Sequence, residues 1–159
     1  MLPNGTSADI PQCVDRIGAS AEVRQHVEAI QVSMVDAAKG CFSESQLDSL
    51  RVVIRLTVEF HYYVQRSCDH VFCLEYVSES IFSGIDSFMS VVQAYGCLVG
   101  TTGSEIDWDE VSATSLKQQF VRIFDQYTRE TVFERKCRLL LDLFKLQMVF
   151  AGVSYGQKT

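Results

Sequence analysis

The chain has 159 residues, of which 47% are apolar and 21% charged, and these proportions are typical of a globular domain that buries its own core. Its formal net charge is -6, and no cluster of lysine or arginine interrupts that acidic balance, which argues against DNA or RNA as a partner. No segment has the pattern of a signal peptide or the length of a bilayer span, so we expect an intracellular protein without an integral membrane anchor.

The six cysteines are scattered through the chain rather than arranged in a compact framework. A chain of this length has enough core to fold without disulfides, so we expect reduced thiols that pack as small buried hydrophobes. An exposed thiol in a loop would be the exception, because oxidation there would link two copies of the chain. Cys41 is the candidate for that role among Cys13, Cys41, Cys68, Cys73, Cys97 and Cys137.

Residues 1–19 contain both prolines and are predicted to be a partly ordered extension. From about residue 20 to 38, apolar residues recur at three- and four-residue spacing, which predicts an amphipathic helix that Gly40 ends. Ser43 and Gln46 then form a capping-box pair, which predicts the start of a second helix that continues towards Arg66. The apolar stripe of the first helix consists of Val23, Val27, Ile30 and Met34.

The middle of the chain is its most hydrophobic part. A shorter helix is expected over about 71–82, and Gly84 is expected to separate it from a further helix over 85–99. That further helix carries almost no charge and is apolar around most of its circumference, so we expect neighbours on all its sides. The pattern predicts a bundle built around a central hydrophobic helical hairpin.

A glycine-rich loop over 100–104 follows, and Asp107–Glu110 then suggests the cap of a helix containing Val111 to Phe124. A last helix is expected over about 131–150, and residues 151–159 form a tail too short to cross a membrane. The prediction is therefore one all-α domain over residues 20–150.

Residues with reactive or metal-binding side chains do not form a recognisable catalytic pattern. His61 and His70 would lie on opposite faces of a continuous helix, and Cys68 and Cys73 lack the two-residue spacing of common zinc sites. No nucleophile signature and no glycine-rich phosphate loop is present. We therefore expect no catalytic residues, no metal, no cofactor and no enzymatic activity, with a thiol- or metal-dependent enzyme around His70 as the minority alternative.

Three segments resemble the homology regions of the Bcl-2 family of apoptosis regulators, in the family order. Residues 77–99 resemble the first region, and residues 129–144, which end in Leu-Leu-Asp-Leu-Phe, resemble the second. The third region is resembled by Leu50, Ile54, Arg55, Val58 and Glu59. Each region departs from the family pattern. In the first, residues are missing around Asp86-Ser87 and Phe88 stands where the family has an arginine; in the second, Lys136-Cys137 replaces a Gly-Trp pair; in the third, Ile54, Val58 and Glu59 replace leucine, a small residue and aspartate.

The resemblance implies a Bcl-2-like bundle whose hydrophobic surface groove binds the amphipathic helix that carries the third homology region of a pro-apoptotic Bcl-2 protein, for example a Bim-like one. The protein would then be an inhibitor of apoptosis, of the kind that large DNA viruses encode, in the host cytoplasm or peripherally at mitochondria. In place of the family arginine, Arg55 or Arg66 would pair with the partner's aspartate. The groove residues carried over by position are Tyr62, Val64, Phe72, Val77, Ser78, Ile81, Phe88, Val91, Val92 and Tyr95.

Two other interpretations stay open at this point. Each groove residue taken singly is also a typical core residue, because apolar side chains at helical spacing usually pack inside. The whole chain is alternatively a helical adaptor or self-associating scaffold unrelated to apoptosis, which uses an exposed apolar stripe for a homodimer. A homodimer that covers its own groove would combine this alternative with the Bcl-2 prediction.

Overall fold

The computed structural model describes residues 20–66, 71–99 and 115–152, together with Ile106 and Trp108. Within the helices, the side chains of residue 66 and of 71–79 and 97–99 lie outside this description. The described chain is all-helical, with no strand, as the sequence predicts. Its five helices are α1 (Ala21–Ala38), α2 (Glu44–Arg66), α3 (Val71–Val99), α4 (Leu116–Arg129) and α5 (Phe133–Phe150).

The first two helices begin where their capping residues predict. Ser20 caps α1, its side chain accepting a hydrogen bond from the Val23 backbone N–H at 3.5 Å. At the start of α2, the Ser43 N–H donates to Gln46 Oε1 at 2.8 Å, and the Gln46 N–H donates to Ser43 Oγ at 3.2 Å. This reciprocal pair is the predicted capping box, and it satisfies two backbone donors that a helix start leaves free.

Gly84 does not separate two helices, contrary to the sequence prediction. It is buried in the middle of α3, where a Cβ would overlap Leu56 Cδ1 of α2 and contact the Phe144 ring of α5. Because only a residue without a side chain allows this approach, the glycine serves close packing between helices rather than a break. α3 is therefore one helix of 29 residues.

The prediction of a segment over 85–99 with neighbours on all its sides is also wrong. Met89 is 52% exposed, and Phe82, one turn before the segment, is 61% exposed. Within the described residues, α3 packs only against α2 and α5. Over residues 80–96, where side chains are described, two neighbouring helices cover one face of α3 and the face with Phe82 and Met89 is exposed to solvent.

The core is built around α2 and α5, each of which packs against the four other helices. Thr57 and Gln147 are buried between them, and Gln147 Nε2 donates a hydrogen bond to Thr57 Oγ1 at 2.8 Å. α4 packs against α5 and α2 on another side of the bundle. There the buried Tyr127 hydroxyl donates to Met34 Sδ at 2.8 Å, and Lys136 Nζ donates to the Tyr127 carbonyl at 2.6 Å.

Candidate functional site

The predicted groove residues mostly lie in the core. Five of them are buried, and Phe88 stacks on the Phe144 ring of α5 with 4.7 Å between ring centroids. Tyr62 and Val92 are half-buried, while the side chains of Phe72, Val77 and Ser78 lie outside the described residues. In this conformation the groove positions fit the alternative of core packing. The five buried groove residues are Val64, Ile81, Phe88, Val91 and Tyr95.

Of the two arginines predicted to pair with a partner's aspartate, Arg55 has a described side chain and Arg66 does not. Arg55 lies on the surface of α2, where its Nη1 is 3.5 Å from Glu59 Oε1 one turn further on. Burial raises the pKa of the Glu59 carboxyl, and the Arg55 charge and hydrogen bond only partly oppose that rise. The pair is thus a partly desolvated ion pair at the edge of the bundle.

Arg55 borders a concave surface between α1 and α2. A cleft of about 370 Å³ there is lined by Val23, Arg24, Val27, Glu28, Gln31, Arg55 and Glu59. A second cleft of about 320 Å³ is lined by Glu28, Gln31, Val32, Val35, Asp36, Lys39 and Arg51. The two clefts share Glu28 and Gln31, so we treat them as one surface and call it the α1–α2 trench.

Helical spacing along α1 explains the trench. Val23, Val27 and Val35 face α2 and form a buried apolar floor, while the residues that follow two of these valines, Arg24 and Glu28, are exposed at its border. At the middle of the trench, Gln31 Nε2 donates to the Arg51 backbone carbonyl at 2.9 Å and connects the two helices. The result is an apolar floor between charged walls.

Arg24 is a candidate functional residue that sequence reasoning did not identify. It forms no ion pair with any described residue, and neither does Glu28 one turn later. An arginine placed four residues before a glutamate is the weaker orientation for a helical ion pair, which fits their separation. The sequence feature that could have identified Arg24 is this Arg–Glu spacing, next to Val23 and Val27 of the core face.

Aromatic side chains surround two histidines where α1, α2 and α4 meet. The His61 ring stacks on Phe124 with 3.9 Å between centroids, and His26 Nδ1 lies 3.0 Å from the Tyr62 hydroxyl oxygen. Burial, helped by the nearby His26, lowers the pKa of His61 to about 4. His61 is therefore neutral at pH 7 and serves packing between helices.

No group of three potential metal ligands occurs among the described residues. His70 and Cys68, on which the alternative of a thiol- or metal-dependent enzyme is centred, lie outside them, as does the Cys73 side chain. Cys41 is exposed and Cys137 buried, and both are free thiols. Burial raises the pKa of the Cys137 thiol to about 12, which makes it a poor nucleophile at neutral pH.

None of the described helices is long and apolar enough to cross a membrane. No protein-family model, curated protein or solved structure matches this chain.

Proposed function

We propose that this chain inhibits apoptosis without being an enzyme, by sequestering a pro-apoptotic Bcl-2 protein whose amphipathic third-region helix binds in the α1–α2 trench. The Bcl-2 part of the proposal is supported by the order and spacing of the three segments that resemble the family. Under the same proposal, the chain is a Bcl-2-like viral protein that acts in the host cytoplasm or peripherally at mitochondria, where such partners act.

The observation that carries the proposal is the position of Arg24 and Arg55 beside the valine floor. A third-region helix presents apolar anchors together with an aspartate, and guanidinium groups bind carboxylates through two parallel hydrogen bonds. Arg24 has no ion-pair partner among the described residues, whereas Arg55 already contacts Glu59. Arg24 is thus the better aspartate receptor, and Arg55 contributes by its charge.

The trench is long enough for a short helix. Its lining residues extend from Val23 to Lys39 along α1, which corresponds to about 24 Å at 1.5 Å per residue. Four apolar anchors at helical spacing occupy about three turns, or about 16 Å. Val32, 64% exposed at the trench, offers apolar surface that such an anchor would cover.

Fluorescence polarisation with a panel of labelled third-region helices tests the proposal. We expect submicromolar binding of at least one peptide and no binding of a control peptide that lacks its central leucine and aspartate. Arg24→Gln should weaken binding about tenfold, equivalent to about 1.4 kcal/mol, because a charge-assisted hydrogen bond is lost. With a peptide whose aspartate is changed to asparagine, the same variant should cause little further loss.

Arg129→Gln is the matched control, because Arg129 is exposed on α4, pairs with Asp125 and does not line the trench. An equal loss of affinity in Arg24→Gln and Arg129→Gln would mean that the loss follows from the change in net charge, and the trench would then not be the binding site. Absence of binding across the panel, with circular dichroism showing a folded protein, would contradict the Bcl-2 proposal and favour the adaptor alternative. That alternative is supported by one observation, the exposed apolar side of α3.

A further inference from the structure

A second surface, separate from the trench, lies on α3. Phe82, Ile85, Met89 and Val92 follow one another at separations of three, four and three residues, so they share one face of the helix. Phe82 and Met89 are more than half exposed, and Ile85 and Val92 are half-buried at the edge of the core. We call these four residues the α3 stripe; their spacing is that of a two-helix coiled-coil seam.

The two sides of the stripe differ. On the inner side, Phe88 belongs to the core and packs against α5. On the outer side, Asp86 lies four residues after Phe82 and three before Met89, which places it directly beside both. Asp86 is exposed and forms no ion pair with any described residue. A helix laid on the stripe would therefore have the bundle on one flank and an unpaired carboxylate on the other.

A second copy of the chain fits this surface poorly. If two α3 helices packed antiparallel about a two-fold axis between Ile85 and Met89, each Asp86 would approach the Asp86 of the other copy, and like charges so close are repulsive. The stripe also exposes only a few hundred Å² of apolar surface. Stable dimers bury about 1,200 to 2,000 Å² in total, which is about 600 to 1,000 Å² on each copy.

We propose that the α3 stripe binds an amphipathic helix of a partner protein that carries apolar residues at heptad spacing and a lysine or arginine facing Asp86. The apolar anchors would remove Phe82 and Met89 from water, and the basic residue would pair with the carboxylate beside them. This partner has the opposite charge requirement to the helix proposed for the trench, where arginines receive an aspartate. The two sites are thus expected to select different helices.

Two synthetic helices about three heptads long test the proposal. Both carry leucine at the seam positions, and the flanking positions are lysine in one and glutamate in the other. We expect the lysine peptide to bind at least about tenfold more tightly than the glutamate peptide, with a preference that decreases as salt rises. Met89→Glu should abolish binding of both peptides, and Asp86→Lys should reverse the preference.

Two control variants separate the stripe from its alternatives. Asp125→Lys makes the same charge change at an exposed carboxylate of α4 and should leave the preference for the lysine peptide intact. If it reverses the preference as much as Asp86→Lys does, the attraction is unspecific and the proposal is overturned. Val32→Glu alters the trench and should leave binding unchanged; if it abolishes binding while Met89→Glu does not, the peptides bind the trench and the proposal fails.

Three further outcomes would also overturn it: equal affinity for the two peptides, no binding of either by folded protein, or a concentration-dependent dimer in light scattering that Met89→Glu dissociates. The third result would assign the stripe to a second copy. Binding of pro-apoptotic helices by the Met89→Glu variant distinguishes a failure of this proposal from a failure of the proposed function, because the trench is unaltered in that variant.

Discussion

The trench and the α3 stripe lie on different helices and attract partners by different physical means. The trench is concave, has a buried valine floor and carries charges of both signs at its walls. The stripe is apolar, and beside it lies Asp86, an exposed carboxylate that forms no ion pair with any described residue. Charged walls discriminate between partners more than they add affinity, whereas exposed apolar side chains supply affinity with little discrimination. We therefore expect selectivity at the trench and tolerance of varied apolar anchors at the stripe.

The largest expected difference concerns the two sides of α3, one packed in the core and the other carrying the stripe. Phe144→Ala removes a fully buried ring that stacks on Phe88 of α3, so it should lower the free energy of unfolding by about 3–5 kcal/mol. Phe82→Ala, at an exposed phenylalanine of the stripe, should cost less than about 1 kcal/mol. Urea denaturation measures both. A similar cost for the two variants would mean that Phe82 is covered in solution.

A smaller effect on the free energy of unfolding is expected when the pH is lowered, because of His61 on the side of the bundle where α1 meets α2. Since the pKa of folded His61 is about 4 against 6.5 for an unperturbed histidine, the unfolded chain binds the proton first as pH falls. The free energy of unfolding should therefore be highest above about pH 6.5 and decline towards pH 4, by about 1–2 kcal/mol after allowing for solvent screening. Glu59, whose pKa is raised, acts in the opposite sense at the acidic end.

His61→Phe keeps an aromatic ring against Phe124 and removes the titrating group. Urea denaturation between pH 7 and pH 5 should show a flatter profile for this variant than for the natural chain. An unchanged slope would assign the pH dependence to other groups and separate it from the packing between α1, α2 and α4.

The smallest expected effect concerns the distance between the two helices that form the walls of the trench. Gln31→Ala removes the side-chain hydrogen bond to the Arg51 carbonyl, which is exposed to water, so stability should change by only about 0.5–1 kcal/mol. Affinity for a trench ligand should fall more than stability does, because the two helices lose a fixed contact at the centre of the site. Gln119→Ala, which loses an exposed hydrogen bond on α4, is the control and should leave that affinity unchanged.

Local patterns predicted the helices better than the surfaces. The Ser43–Gln46 capping box and the Val23, Val27 and Met34 face of α1 depend on neighbours within one or two turns, and both were confirmed. Gly84 was misinterpreted because its role depends on Leu56 and Phe144, which are distant in sequence. A glycine against open space and a glycine against another helix look alike in a sequence.

The candidate sites were harder to predict for a related reason. Periodicity shows that Phe82, Ile85, Met89 and Val92 share a face, but not whether another helix covers it. The exposure of that face follows from the packing of α3 against α2 and α5. Likewise, Arg24 became a candidate only when α1 and α2 were seen to enclose a trench. The predicted pairing of Arg55 with a partner's aspartate stays a prediction.

The hydrogen bond from Gln147 to Thr57 has a consequence for how the helices align. Both groups are fully buried between α2 and α5, so sliding one helix along the other would leave the Gln147 Nε2 donor without its partner, at a cost of about 1–3 kcal/mol. Purely apolar helices have several packing offsets of similar energy, and one buried polar pair selects among them. The hydrogen bond therefore favours one alignment of α2 and α5, the two helices against which α3 packs.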